Sequence, residues 1–121
     1  MPILDIEIVG DVIPPAATLA QAFADEAARL FAAPPATTWV RVRWLAREAY
    51  AEDGTIVATA DLPVFVTVLK RHLPGRAALA REMAALASAV AEVVGRPAER
   101  IHVEYAAAAA GRIAFGGVLI E

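Results

Sequence analysis

A chain of 121 residues is expected to form a single domain spanning 1–121, and because much of its 59% hydrophobic content is alanine, its core should be modest and an oligomer is expected. With no cysteine and only two histidines, His72 and His102, it has no disulfide framework, no thiol nucleophile and no conventional zinc site. A net charge of −3 and the lack of a long apolar run argue against nucleic-acid and membrane partners, and the early acidic residues Asp5, Glu7 and Asp11 are unlike a signal peptide, so a cytoplasmic protein is expected.

The first predicted element is a short strand, Pro2 to Val9, beginning on a proline. Gly10-Asp11-Val12 follows as a turn, and Pro14-Pro15 is a suitable entry to a helix. Leu19, Phe23, Ala27 and Leu30 lie three or four residues apart, which sets one apolar stripe along that helix until Pro34-Pro35 ends it. From Thr38 to Leu45 the pattern alternates, placing Val40, Val42 and Trp44 on one face and Trp39, Arg41 and Arg43 on the other. A linker from Ala46 to Asp61 carries the turn signal Asp53-Gly54 and has room for a short strand at Thr55–Thr59.

The same order then repeats. Pro63 to Leu69 is again a proline-led strand, and Pro74-Gly75 opens a second helix with Leu79, Met83, Leu86, Val90 and Val93 on its stripe. Gly95 and Pro97 end it. The strand Arg100 to Tyr105 alternates, with Ile101, Val103 and Tyr105 opposite His102 and Glu104, and Gly111 to Ile120 reads as a final short strand or hairpin. The fold class is therefore α/β (α+β): tandem β-α-β units, pseudo-repeats 2–61 and 63–121, forming a four-stranded mixed sheet with two helices on one face. The helix-free face carries Arg41, Arg43, His102 and Glu104, which fits a shared interior better than bulk solvent.

These residues resemble the tautomerase superfamily, whose mature chains begin with proline and are built from β-α-β units. Pro63-Val-Phe-Val-Thr-Val-Leu69, the helix opening Gly75-Arg76, the strand Arg100 to Tyr105 and the ending Gly111-Arg-Ile-Ala-Phe-Gly-Gly117 together are similar to one whole subunit of the 4-oxalocrotonate tautomerase family. The stretch Phe65–Arg76 also resembles 5-carboxymethyl-2-hydroxymuconate isomerases, and Pro34-Pro35 ahead of a Val-Arg-Val strand resembles the macrophage migration inhibitory factor family. The resemblance implies a homotrimer, a barrel lined by the helix-free sheet faces, and a site at the start of the first strand completed by a neighbouring subunit.

It also implies that Pro2 carries the proton. Once methionine aminopeptidase removes Met1, Pro2 presents a secondary amine; an α-amine titrates near 8, and desolvation or nearby cations lower that. With Met1 attached, Pro2 is an amide and has no basic nitrogen. Arg71 and Arg76 flank the turn before the second helix, where arginines of the superfamily hold substrate carboxylates, and a guanidinium fork at a helix start suits that task. Arg41 matches the arginine that polarises the substrate carbonyl in 4-oxalocrotonate tautomerase, or it forms an interior salt bridge with Glu104 as a natural partner. His102 and Glu104 stand where migration inhibitory factor carries a tyrosine and an asparagine beside the proline; Glu104 either activates water or lines the barrel in an ion pair. Phe115 matches the aromatic wall of the site, with a core or interface role as the alternative. Lys70 reads as a solvated turn residue.

The activity implied is a tautomerase or isomerase acting on a small 2-keto or enol carboxylate, with Pro2 as general base and with no cofactor or metal. A hydratase, dehalogenase or decarboxylase with Pro2 as general acid is the first alternative. A non-catalytic trimeric binding or structural protein is the second.

Overall fold

The computed structural model describes residues 1–12 and 16–121; Pro14-Pro15, the expected helix entry, lies outside the described residues. The main elements run β1 (Ile3–Val9), α1 (Ala16–Leu30), β2 (Trp39–Leu45), β3 (Val64–Leu69), α2 (Arg76–Val94) and β4 (Ile101–Tyr105), followed by the short strands β5 (Ala114–Phe115) and β6 (Val118–Leu119). The expected order of two β-α-β units is the observed one.

The alternation in the strands decides the layering. Leu4, Ile6 and Ile8 of β1 and Val64, Val66 and Val68 of β3 are no more than 1% exposed, so every second residue of the two central strands faces the helices. Phe23 and Ala27 of α1 and Leu86 and Val90 of α2 close over them in one cluster. Each of the larger buried side chains contributes about 1.5–3 kcal/mol through removal from water.

Four strands form one sheet in the order β2-β1-β3-β4. The outer pairs β1/β2 and β3/β4 are parallel, as crossovers through α1 and α2 require, and the central pair β1/β3 is antiparallel. The sheet is therefore mixed, with both helices on one face. The antiparallel seam has a consequence for position: the two proline-led strand starts, Pro2 and Pro63, lie at opposite ends of the sheet.

Two local departures from expectation have physical causes, and the tail takes one of its two expected forms. Helix α1 ends at Leu30, before Pro34-Pro35, because Ala32 turns into the left-handed region (φ 49°) and the Ala33 N–H bonds the Ala28 carbonyl at 3.0 Å. That conformation strains an alanine, so Ala32→Gly is expected to stabilise the fold by about 0.5–1 kcal/mol, read as a higher urea midpoint. The segment Thr55–Thr59 forms no strand; instead Arg47 Nη1 and Nη2 donate to Thr59 Oγ1 and the Val57 carbonyl, each at 2.6 Å, and single 3₁₀ turns at Arg47–Ala49 and Thr59–Asp61 fold the linker back. The tail is a hairpin, with Gly116 and Gly117 both at positive φ (58° and 84°) as a two-residue turn between antiparallel strands needs.

At the end of the sheet away from Pro2, Arg96 holds three pieces of chain together. Its Nη1 donates to the carbonyls of Val9, Leu62 and Pro63 at 2.7, 2.9 and 3.2 Å. Burial pulls this guanidinium's pKa below its ordinary value. No helix among the described residues is long and apolar enough to cross a membrane.

Candidate active site at the Pro2 end of the sheet

Pro2 is buried immediately before β1, and its carbonyl accepts the Trp39 backbone N–H at 3.1 Å. Strand alternation puts its ring on the helix side, in line with Leu4 and Ile6. The starts of β1 and β2 and the ends of β3 and β4 meet here, so the α1–β2 turn, the β3–α2 turn and the segment after β4 all converge on Pro2. Burial lowers the pKa of the terminal amine at Met1 below its ordinary value. Pro2 lies one residue deeper along the same path.

Of the residues expected to serve the site, three lie at this end. Phe115 arrives on the β5–β6 hairpin and stacks on Trp39, with ring centroids 4.8 Å apart and planes tilted by 55°. Arg71 lies in the β3–α2 turn, where its Nε donates to the carbonyl of Glu121. Arg76 is the first residue of α2 and is exposed, with no side-chain hydrogen bond among the described residues. A cation at that position opposes the helix dipole, so the pair of them favours an anion.

The remaining candidates lie further along the open face of the sheet. The register sets Arg41, Asp5, Thr67 and Glu104 in one row and Arg43, Glu7, Phe65 and His102 in the next. Arg41 grips Asp5 through two bonds, Nε to Oδ1 at 2.6 Å and Nη2 to Oδ2 at 2.8 Å, and Arg43 approaches the same carboxylate at 3.8 Å. The salt-bridge partner of Arg41 is thus Asp5 and not Glu104, because the sheet order puts β2 and β4 at opposite edges, about 14 Å apart at the usual strand spacing. The Arg41 hydrogen bond holds the Asp5 carboxyl below its ordinary range, against the upward pull of its partial burial. The pair therefore supports the fold above the unfolded carboxyl value, and that support is lost as the pH falls through the depressed one.

Glu104 and His102 do not reach Pro2 within the chain. Glu104 shares the row of Asp5, three residues beyond Pro2, and His102 shares the row of Glu7, five residues beyond, or about 17 Å along the strand. His102 packs instead against Phe65 with ring centroids 5.4 Å apart.

Sequence reading missed a part-buried cluster on the helix side of Pro2. Lys70 is not a solvated turn residue: its Nζ bonds both oxygens of Glu82 on α2, at 3.0 and 3.3 Å, and lies 4.8 Å from the centre of the Phe31 ring. The Tyr105 hydroxyl donates to Glu82 Oε1 at 2.5 Å. Burial first, and the Glu82 carboxylate second, push the Tyr105 phenol well above its ordinary pKa, so it stays a neutral donor. The signal was present in the alternation, which assigns Lys70 and Tyr105 to the helix-facing side with Val68 and Val103.

The fold is that of the tautomerase superfamily. The chain is similar to a fused 4-OT that forms a symmetric trimer, at 20% identity over 97% of this chain and 94% of that one, with a TM-score of 0.79. It is similar to a macrophage migration inhibitory factor homologue from Prochlorococcus marinus, at 17% identity over 98% and 99% of the two chains (TM-score 0.76). A malonate semialdehyde decarboxylase inhibited by 3-bromopropiolate shares 15% identity over 94% and 88% of the two chains (TM-score 0.72). No family model and no curated protein sequence matches the chain.

Proposed function

We propose that the chain is a cofactor-independent tautomerase or isomerase for a small 2-keto or enol carboxylate, working as a cytoplasmic homotrimer with Pro2 as its proton carrier. The observation that carries the reading is the burial of Pro2 where the sheet end, two turns and the terminal hairpin converge. An amine in a desolvated setting loses part of its proton affinity, so a fraction is free near neutral pH. The free amine takes a proton from the carbon next to the carbonyl, or from the enol hydroxyl, and returns it at the other position.

Arg76 and Arg71 are assigned to the substrate carboxylate, and the Trp39–Phe115 pair to the apolar wall that keeps water from the amine. Arg41, Glu104 and His102 lie too far along the strands to act on the Pro2 of their own chain, so any role for them is on a neighbour's site across the open sheet face. For Arg41 that role means sharing its guanidinium between Asp5 and the substrate.

Intact mass of cell-made protein, together with ketonisation of small enol carboxylates followed by ultraviolet absorbance, tests the reading. Loss of Met1 with measurable turnover supports it; retained Met1 with no turnover overturns it in favour of a binding or structural protein. The pH–rate profile separates base from acid: a rate rising through the amine's pKa marks the base, and a falling rate marks the hydratase or decarboxylase alternative. Arg76→Ala is expected to raise KM about tenfold with little change in kcat, since a carboxylate clamp that binds substrate and transition state alike acts on KM. An unchanged KM removes Arg76 from the site.

A further inference from the structure

We infer that the Lys70–Glu82 ion pair, fixed by the Tyr105 hydroxyl, is a charge-balancing device for the amine at Pro2, which makes these three positioning residues of the site. The inference rests on the reading of Pro2 as the proton carrier and adds the groups that set its protonation.

The geometry begins with the ladder between β1 and β3, whose last pair at this end is Ile3 with Leu69. One position beyond on each strand come Pro2 and Lys70, both on the helix side by alternation. Facing residues of an antiparallel ladder stand about 5 Å apart at their Cβ atoms, and the register continued by one step brings Lys70 opposite Pro2. Tyr105 pairs in register with Val68 and approaches from the other side of β3. Glu82 reaches down from α2, and Phe31, just past α1, covers the ammonium. The side chains of Lys70 and Glu82 are 22% and 19% exposed, so their fields are only partly screened.

The charged and titratable groups on the helix side of this sheet end are Lys70 from β3, Tyr105 from β4 and Glu82 from α2, with Arg76 at the start of that helix. Arg71 in the following turn is directed to Glu121. Tyr105 is neutral, so within the cluster the balance is one cation and one anion, which cancel, while Arg76 adds a field common to parent and variants. A cation left alone opposes protonation of a neighbouring amine, and an anion left alone favours it.

The test measures the amine directly and does not depend on turnover. Protein labelled with 15N-proline, treated with methionine aminopeptidase and checked by intact mass, carries one titrating secondary-amine nitrogen. Lys70→Met should raise its pKa by about one unit, and Glu82→Gln should lower it by about one unit. The double variant should return close to the parent value, and Lys70→Arg should stay within a few tenths of it. Single variants that shift the amine in the same direction would show a packing effect and overturn the inference, as would an amine that does not respond to any of them. Should enol carboxylates show no turnover while the opposite shifts are seen, the catalytic reading fails and the charge balance stands.

Discussion

Pro2→Ala is expected to lower turnover at least tenfold, part of the factor of about 10²–10⁴ that a positioned general base contributes in full. The variant still has an α-amine once Met1 is removed, so the loss measures what the ring supplies: a secondary amine whose direction is fixed by the backbone and whose surroundings are dry. A primary amine on alanine turns freely and is better hydrated. Acetylating the terminus of the parent protein removes the basic nitrogen altogether and should cost more than the substitution does. Stopped assays on both, at equal folded concentration, decide the matter. A variant as active as the parent sinks the assignment of Pro2, whatever Arg76 does.

Arg96→Met should destabilise the fold by about 2–4 kcal/mol, because bonds from a charged donor to three carbonyls are lost and at least part of that acceptor set is left dry. For a chain of this size that is a fall in melting temperature of roughly 10 °C. Arg96→Lys should fall between the two, since the charge is kept while the shorter side chain does not carry its ammonium to the place of Nη1. Gly10 adds a second constraint: at φ 128°, with Arg96 Nη2 only 3.2 Å from where a Cβ would stand, it admits no side chain without moving the arginine. Turnover of Arg96→Met well below its melting point should match the parent, because Arg96 sits at the far end of the sheet from Pro2. A melting temperature within one or two degrees of the parent would show that water satisfies these carbonyls.

The two ends of the sheet that these variants probe were legible to different degrees in the sequence. Period-two and period-four patterns marked the four sheet strands and both helices, because burial of Leu4, Ile6, Val66 and Phe23 is a local consequence of alternation and stripe, while the strand expected at Thr55–Thr59 has no such alternation to bury. The tail from Gly111 to Ile120 was legible only as a short strand or a hairpin. Pairings between distant strands were not: nothing local says that Arg41 faces Asp5 rather than Glu104, since that depends on the order of strands in the sheet. Arg96 gave no signal at all, being one arginine among several after a helix-ending glycine. Lys70 was misread because a turn position next to arginines looks solvated, while its side of the sheet depends on where β3 stops. The end of α1 shifted because an alanine took up the left-handed conformation that glycine usually supplies.

Pro63 opens β3 as Pro2 opens β1, buried in the same manner, but it is joined through its nitrogen to Leu62 and offers only a carbonyl, which accepts the Val9 N–H and one of the Arg96 bonds. With Pro2 as the proton carrier proposed above, the chain has one reactive strand start and one silent one, on opposite rims of the same sheet. On this account the stoichiometry is one reactive amine per 121 residues, half of what two separate units of the same length would display. At the Pro63 rim, Arg47, Arg96 and Arg100 hold the linker and strand ends together. Titration of a saturating amine-directed reagent against the Lys70→Met variant, whose sequence then holds no lysine, should therefore end at one equivalent per chain.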